Sequence, residues 1–187
     1  MRTLLGCLCL LLPFAAARAD TGEAALWAAL REGGHVALIR HALAPGTGDP
    51  PGFRVDDCAT QRNLSAEGHA QARALGARFR ANGIATAAVF SSQWCRALDT
   101  ARAMALGEVT PFAGLNSFFA GRGDAAAHTR AARALIAERG HGPLPLVLVT
   151  HQVNISALSG VFPASGEIVV MRLDGDTLSL AGRIRTD

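Results

Sequence analysis

The stretch GHVALIRHALAP, residues 34–45, contains the strand pattern on which the prediction of the fold rests. It is apolar without interruption from Val36 to Ile39, as is typical of a strand that is covered on both faces of a sheet. It then places Arg40 and His41 side by side before a proline ends the run. A buried strand that ends on two polar side chains predicts a parallel sheet with a functional site at its carboxyl edge.

The rest of the chain alternates helical and strand patterns around this segment. The 187 residues suffice for one domain with a core of its own. Strict alternation favours an α/β fold, a three-layer sandwich with a mostly parallel central sheet and an antiparallel edge. Helices are predicted over 22–34 after Thr21, 66–82 after the capping Ser65, 94–106, and 123–140 with Asp124 as cap. Strands are predicted over 87–92, 109–112 and 144–151, and a closing hairpin over 167–174 and 177–185.

Residues 1–19 carry the pattern of a secretory signal peptide. Arg2 precedes an apolar run too short for a comfortable membrane span, and an A-x-A pattern then closes at Ala19. The alternatives are a membrane anchor or a lipoprotein signal at Cys7, but a lipoprotein cysteine follows its apolar run and Cys7 precedes most of it. We expect cleavage after Ala19, a single mature domain over 20–187, and a periplasmic or secreted location.

Removal of this signal changes the charge and the cysteine count. Loss of Arg2 and Arg18 lowers the net charge from +3 to +1, which implies neither nucleic acid nor an anionic membrane as a partner. No stable membrane insertion is expected once the signal is cleaved. Cys58 and Cys95 remain as a candidate disulfide in an oxidising compartment, the alternative being two reduced thiols. All 18 basic residues are arginine, so an anion site here is built from arginine, histidine and backbone donors.

Polar side chains follow three of the predicted strands. Arg40 and His41 end one strand, His151 ends another, and Ser92 ends a third with Arg96 shortly after it. The carboxyl ends of parallel strands meet at one edge of a sheet, so these groups are expected to converge. A cluster of arginine and imidazole suits a phosphate monoester, because guanidinium forks hold the non-bridging oxygens and an imidazole can attack phosphorus.

Four segments stand in a recognisable order along the chain: ALIRHA (37–42), LSAEGHAQARALG (64–76), VFSSQWCRALDTA (89–101) and LVLVTH (146–151). Together they resemble the histidine phosphatase superfamily, which includes phosphoglycerate mutases and many acid phosphatases. The strings DCATQRNLS and SSQWCR are similar, more narrowly, to an exported bacterial group of that superfamily. The resemblance implies a phosphoglycerate mutase-like fold.

The resemblance also implies roles for individual residues. Four of them would carry catalysis in the phosphate pocket: Arg40, His41, Arg96 and His151. His41 would be the nucleophile that becomes a phosphohistidine. Thr47 and Gln152, together with the two arginines, would bind substrate. Neither a metal nor another cofactor is expected.

Two positions depart from the family pattern. Ala42 stands where the superfamily usually has glycine, which adds a methyl group beside the nucleophile. Relatives place an acidic proton donor where this chain has Asn116 and Ser117, or where it has Gln152, and none of these is a carboxylic acid. Four aspartates remain as candidate donors, and the sequence does not choose among them: Asp49, Asp56, Asp57 and Asp124.

The function expected from this reasoning is a metal-independent phosphomonoesterase with a phosphohistidine intermediate on His41. Its substrate would be a phosphorylated small molecule or glycan of the envelope or periplasm. The alternative is a non-catalytic module of the same fold that binds phosphate or a phosphoglycan. The sequence specifies no oligomeric state.

Overall fold

The computed structural model describes residues 18–186. The predicted signal peptide therefore lies outside the described residues except for its last two. No helix in the described part is long and apolar enough to cross a membrane. The helices are α1 (Arg18–Glu32), α2 (Ala66–Ala81), α3 (Cys95–Met104), α4 (Ala125–Arg139) and α5 (Gln152–Ser159). The strands are β1 (His35–Arg40), β2 (Ala88–Ser91), β3 (Val109–Pro111), β4 (Leu146–Thr150), β5 (Ile168–Asp174) and β6 (Thr177–Ile184).

All six strands form one sheet in the order β3-β2-β4-β1-β5-β6. The first four strands in this order run parallel, whereas β5 is antiparallel to β1 and β6 is antiparallel to β5. Arg40 pairs with Thr150, and Ser91 pairs with Val149, so β1, β2 and β4 end at nearly the same level. The predicted mostly parallel sheet with an antiparallel edge is confirmed.

Helices cover both faces of this sheet and make it the middle of three layers. Ala37 and Ile39 of β1 belong to one apolar cluster with residues of α1, α2 and α3. Val36 and Leu38 belong to a second cluster with residues of α4 and α5. All four residues are 0% exposed. Successive strand side chains point to opposite faces, so a strand covered on both sides is apolar at every position.

Two predicted helix caps are confirmed, one predicted helix start is wrong, and one helix is not predicted. Ser65 accepts a hydrogen bond from the Gly68 backbone and caps α2, and Asp124 caps α4, as predicted. α1 begins at Arg18 rather than after Thr21, so the prediction of its start is wrong. The sequence predicts no helix after β4, yet α5 forms there, because its short apolar face is too brief for a clear helical period.

The start of α2 packs closely on the segment that follows His41. A Cβ at Gly68 would lie 2.0 Å from the Leu43 carbonyl oxygen, so only glycine allows this approach. The Ser65 backbone N–H donates to the same oxygen at 3.1 Å. Gln71 accepts from the Leu43 backbone N–H at 3.0 Å. These contacts fix the chain immediately behind the predicted nucleophile.

Candidate active site

The ends of β1, β2 and β4 meet as the topology predicts. The His41 backbone N–H donates to the Thr150 carbonyl and the Ser92 N–H to the Val149 carbonyl, each at 2.9 Å. A cavity of about 200 Å³ opens at this edge. All six residues predicted for catalysis or substrate binding line it: Arg40, His41, Thr47, Arg96, His151 and Gln152.

His41 is held as a buried, neutral imidazole. Its side chain is 2% exposed, and Nδ1 lies 2.8 Å from the carbonyl oxygen of Ala42. A carbonyl only accepts, so Nδ1 carries the proton and Nε2 keeps its lone pair. Arg96 Nε donates to that Nε2 at 3.2 Å. Burial, and after it the positive charge of Arg96, lowers the pKa of His41 to about 3. The state of the ring is the one that a nucleophile requires.

The methyl group of Ala42 packs in the protein interior behind the cavity. Ala42 is 0% exposed, and it is not among the residues that line the cavity. Its backbone N–H donates to Thr100 Oγ1 at 2.9 Å. The departure from the glycine of the family pattern therefore leaves the cavity wall unchanged at this position.

His151 lies opposite His41 and is equally buried. The two ring centroids are 5.4 Å apart, and His151 Nε2 lies 2.8 Å from the Ser92 hydroxyl oxygen. Burial, together with the proximity of His41 and Arg96, places the pKa of His151 well below its ordinary value. Ser92, which the sequence places at the end of a predicted strand without a catalytic role, thus orients the second histidine.

Arg96 is held by a carboxylate that the sequence does not single out. Its Nη1 donates to Asp49 Oδ1 at 2.6 Å and its Nη2 to Asp49 Oδ2 at 3.2 Å. The Trp94 indole and the Arg62 backbone N–H donate to the same carboxylate, at 3.1 and 3.2 Å. The side chains of Arg96 and Asp49 are 3% and 4% exposed. The result is a buried, bidentate ion pair inside the cavity.

Asp49 is ionised in this arrangement. Burial raises the pKa of its carboxyl group, but the hydrogen bonds and charge of Arg96 outweigh burial, and the pKa lies below its ordinary value of 3.8. Among the residues that the structure describes, Asp49 is the one carboxylate that lines the cavity. The other candidate donors, Asp56, Asp57 and Asp124, lie elsewhere, with Asp124 engaged in capping α4.

Two further arginines line the cavity, and the sequence indicates no role for either. Arg62 donates through Nε to the Gly48 carbonyl at 2.7 Å and through Nη1 to the Ala44 carbonyl. The guanidinium of Arg122 lies 4.5 Å from the centroid of the Phe53 ring. Arg62 falls in the string DCATQRNLS, which could have drawn attention to it. Nothing in the sequence marks Arg122.

Arg40 offers a donor that no described residue uses. Its Nη1 donates to the Pro163 carbonyl at 2.9 Å, whereas its buried Nε has no hydrogen-bond partner among the described residues. Burial, and after it the nearby charge of Arg96, lowers the pKa of Arg40. A cationic group in this state gains from an anion that enters the cavity.

A disulfide ties the long loop over residues 45–64 to the start of α3. The structure joins Cys58 to Cys95, with 5.7 Å between their Cα atoms. Beside the bridge, Gln61 accepts a hydrogen bond from the Cys95 backbone N–H at 2.9 Å. Cys95 precedes Arg96, so the bridge fastens the loop that carries Asp49 to the helix that carries its partner. Within residues 18–186, no cluster of three or more histidine, cysteine or acidic side chains could hold a metal ion.

Comparison with known proteins gives a family and a set of similar folds. The family model described as histidine phosphatase superfamily (branch 1) matches residues 36–122. No curated protein sequence matches the chain. The protein histidine phosphatase SixA in complex with tungstate is 16% identical at a TM-score of 0.60, over 81% of this chain and 97% of that one.

Two other solved structures show a similar fold. A mutant phosphoserine phosphatase from Entamoeba histolytica, bound to phosphoserine, is 15% identical at a TM-score of 0.60, over 82% of this chain and 98% of that one. A mycobacterial glucosyl-3-phosphoglycerate phosphatase with VO3 is 15% identical at a TM-score of 0.56, over 78% and 95%. At these identities the likeness is one of fold.

Proposed function

We propose that this chain is a member of the histidine phosphatase superfamily, whose model matches residues 36–122, and that it is a hydrolase of phosphate monoesters that works through a phosphohistidine on His41 and without a metal. The observation that carries the proposal is the Nε2 atom of His41, buried, unprotonated and 3.2 Å from Arg96 Nε. A nucleophile beside a guanidinium is suited to attack a group whose negative charge would otherwise repel it.

The reaction follows from the groups that line the cavity. Arg40, Arg62 and Arg96 offset the charge of the non-bridging oxygens. His41 Nε2 forms a bond to phosphorus as the bond from phosphorus to the leaving oxygen breaks, and the leaving oxygen takes a proton from solvent water. Water then attacks the phosphohistidine, which releases inorganic phosphate and restores the neutral imidazole.

The leaving oxygen finds no protonated carboxyl group among the described residues of the cavity. Asp49 is ionised by its pairing with Arg96, and Gln152 carries an amide. An aryl oxygen departs readily with little help from an acid, whereas an alkyl or sugar oxygen needs a proton. We expect aryl phosphates to turn over faster than simple alkyl phosphates, unless the true substrate supplies the proton itself.

The proposed substrate is a phosphorylated small molecule or glycan of the periplasm or envelope. The signal-peptide pattern in the first 19 residues supports export. The Cys58–Cys95 disulfide supports it as well, because such bonds persist in oxidising compartments. Two of the neighbours described above act on phosphorylated small molecules according to their names, which supports a substrate of that class. Mass spectrometry of the exported protein should find Asp20 at its N-terminus, and retention of Met1 or lipid on Cys7 would contradict this.

One observation favours the alternative of a binding module. Among the described residues, the cavity holds no carboxyl group that stays protonated and could serve a leaving oxygen, because Asp49 is its one carboxylate and is ionised. A module that binds phosphate without turnover would retain the arginines and would not need a neutral nucleophile at His41.

Hydrolysis of an aryl phosphate by the mature protein separates the two functions. We expect turnover that a chelator does not reduce and that His41→Ala abolishes, while His41→Ala still binds inorganic phosphate through the arginines. His141→Ala, at an exposed histidine outside the cavity, is the matched control and should keep full activity. A folded wild type that binds phosphate and hydrolyses no ester would support the binding module.

A further inference from the structure

The cavity carries more positive charge than a simple phosphate monoester can balance. Four arginines and one carboxylate line it: Arg40, Arg62, Arg96, Arg122 and Asp49. His41 and His151 add no charge, because burial keeps both neutral. The described lining therefore has a net charge of three positive. A phosphate monoester brings about two negative charges at neutral pH. Such a substrate therefore leaves about one positive charge of the cavity lining unbalanced.

Arg122 stands apart from the arginines that surround the nucleophile. A series of ring contacts separates it from His41: His41 against His151 at 5.4 Å, His151 against Trp94 at 5.5 Å, and Trp94 stacked on Phe53 at 4.8 Å. The guanidinium of Arg122 then lies on the far ring of this series, 4.5 Å from the Phe53 centroid. Within the described residues Arg122 forms no salt bridge, so its charge is not already balanced by a carboxylate.

The segment that carries Arg122 forms a wall at the mouth of the cavity. Phe119, Ala120 and Arg122 all line the cavity, and the Phe119 side chain is 43% exposed whereas His41 is 2% exposed. The backbone turns at Ala120 through φ 56°, a left-handed conformation that residues with a Cβ rarely adopt. Across the cavity, a Cβ at Gly48 would lie 3.9 Å from the Phe119 ring. The exposed Phe119 ring and the Arg122 guanidinium thus lie on the same side of the cavity entrance.

We propose that Arg122 and Phe119 form a leaving-group subsite, and that the physiological substrate is a phosphate monoester whose leaving group carries a second anionic group, a carboxylate or a further phosphate. Arg122 binds that second anion, and the carbon skeleton between the two anionic groups packs against Phe119. The proposal rests on the proposed function for the position of the transferred phosphate at His41. To that function the subsite adds Arg122 as a specificity-determining residue and a substrate class, phosphate monoesters with a second anionic group.

The test uses two aryl phosphates that differ only in charge, para-carboxyphenyl phosphate and para-carbamoylphenyl phosphate. We expect wild-type KM to be about tenfold lower for the carboxylate, as a charge-assisted hydrogen bond would give. Arg122→Gln should remove this preference and leave kcat and KM for the amide within about twofold of wild type, because the amide does not use the subsite. Arg122→Lys should retain part of the preference.

Arg133→Gln is the matched control, since Arg133 is exposed on α4 and does not line the cavity. It should keep the wild-type preference. Equal KM values for both compounds in wild type, or a preference that survives in Arg122→Gln, would overturn the subsite.

Calorimetric binding of both compounds to His41→Ala keeps the two proposals separable. A preference for the carboxylate in that variant, together with no turnover of either compound by wild type, would support the subsite and contradict the phosphatase. Turnover of both compounds by wild type without any preference for the carboxylate would support the phosphatase and contradict the subsite.

Discussion

One hydrogen bond joins Arg96 Nε to His41 Nε2, and Asp49 fixes the geometry of that bond by holding the Nη atoms of Arg96. Arg96 has five N–H donors in a rigid plane. Nε faces His41, and the two Nη atoms face Asp49. Because the guanidinium is planar, a carboxylate that holds one edge of it also sets the direction of Nε. We therefore expect Asp49 to act as a positioning residue for the proposed nucleophile.

Asp49→Asn tests this role by removing the charge while nearly preserving the size. We expect kcat for an aryl phosphate to fall about tenfold or more, because Arg96 loses its fixed orientation. Inorganic phosphate should inhibit at least as strongly as in wild type, because the competing carboxylate charge is gone. Asp56→Asn, an exposed carboxylate of the same loop, is the control and should match wild type. An unchanged kcat in Asp49→Asn would refute the positioning role.

At the scale of elements, the loop over residues 45–64 supplies part of the site without regular structure. Proline, glycine and aspartate recur over residues 44–63, a composition that is typical of a loop. Its inward side chains cannot be read in the same way, because a loop has no period that separates buried from exposed positions. The sequence consequently leaves Asp49 as one of four candidate donors and gives Arg62 no role, whereas residues at strand ends, such as His41 and His151, follow from the pattern.

Replacement of both cysteines tests how far this loop depends on its disulfide. The bridge joins residues 37 apart, and on the chain-entropy estimate its loss lowers the free energy of unfolding by about 4 kcal/mol. KM for a phosphate ester should also rise, because the loop carries Asp49 and Arg62. Denaturant unfolding and kinetics of Cys58→Ala/Cys95→Ala measure both effects. A reducing agent should weaken wild type and leave the double variant unchanged. No effect of reduction on wild type would contradict the expectation.

For the molecule as a whole, the alternation of patterns predicts the three-layer sandwich, and the structure confirms it. The continuous apolar runs of β1 and β4 are decisive, because both faces of each strand are covered. The histidine phosphatase superfamily model matches residues 36–122, which include three of the four segments that carry the resemblance in the sequence. The sequence does not predict α5, because a helix this short is stabilised by packing against the sheet rather than by its own sequence.

The buried histidines should make stability depend on pH. The pKa of His41 is about 3 in the folded protein against an ordinary 6.5, and that of His151 is lowered as well. Below about pH 6.5 the unfolded chain binds protons that the folded protein excludes, so the free energy of unfolding falls as pH falls. The slope reaches at most about 1.4 kcal/mol per pH unit for each histidine.

Denaturant unfolding between about pH 7 and about pH 4.5 measures this slope. His41→Gln should show a shallower dependence than wild type, whereas His141→Gln, at an exposed position, should retain it. A stability that stays constant across this range would mean that the two histidines do not remain neutral in the folded state.

The most direct test of the account is a rapid-quench experiment with an aryl phosphate labelled on phosphorus. We predict a burst of label on the protein within the first turnover, bound to His41, stable in base and lost in acid as a phosphohistidine is. The His41→Ala variant should show neither burst nor turnover. Undiminished hydrolysis by His41→Ala, or wild-type turnover with label on any other residue, would contradict a mechanism that runs through His41.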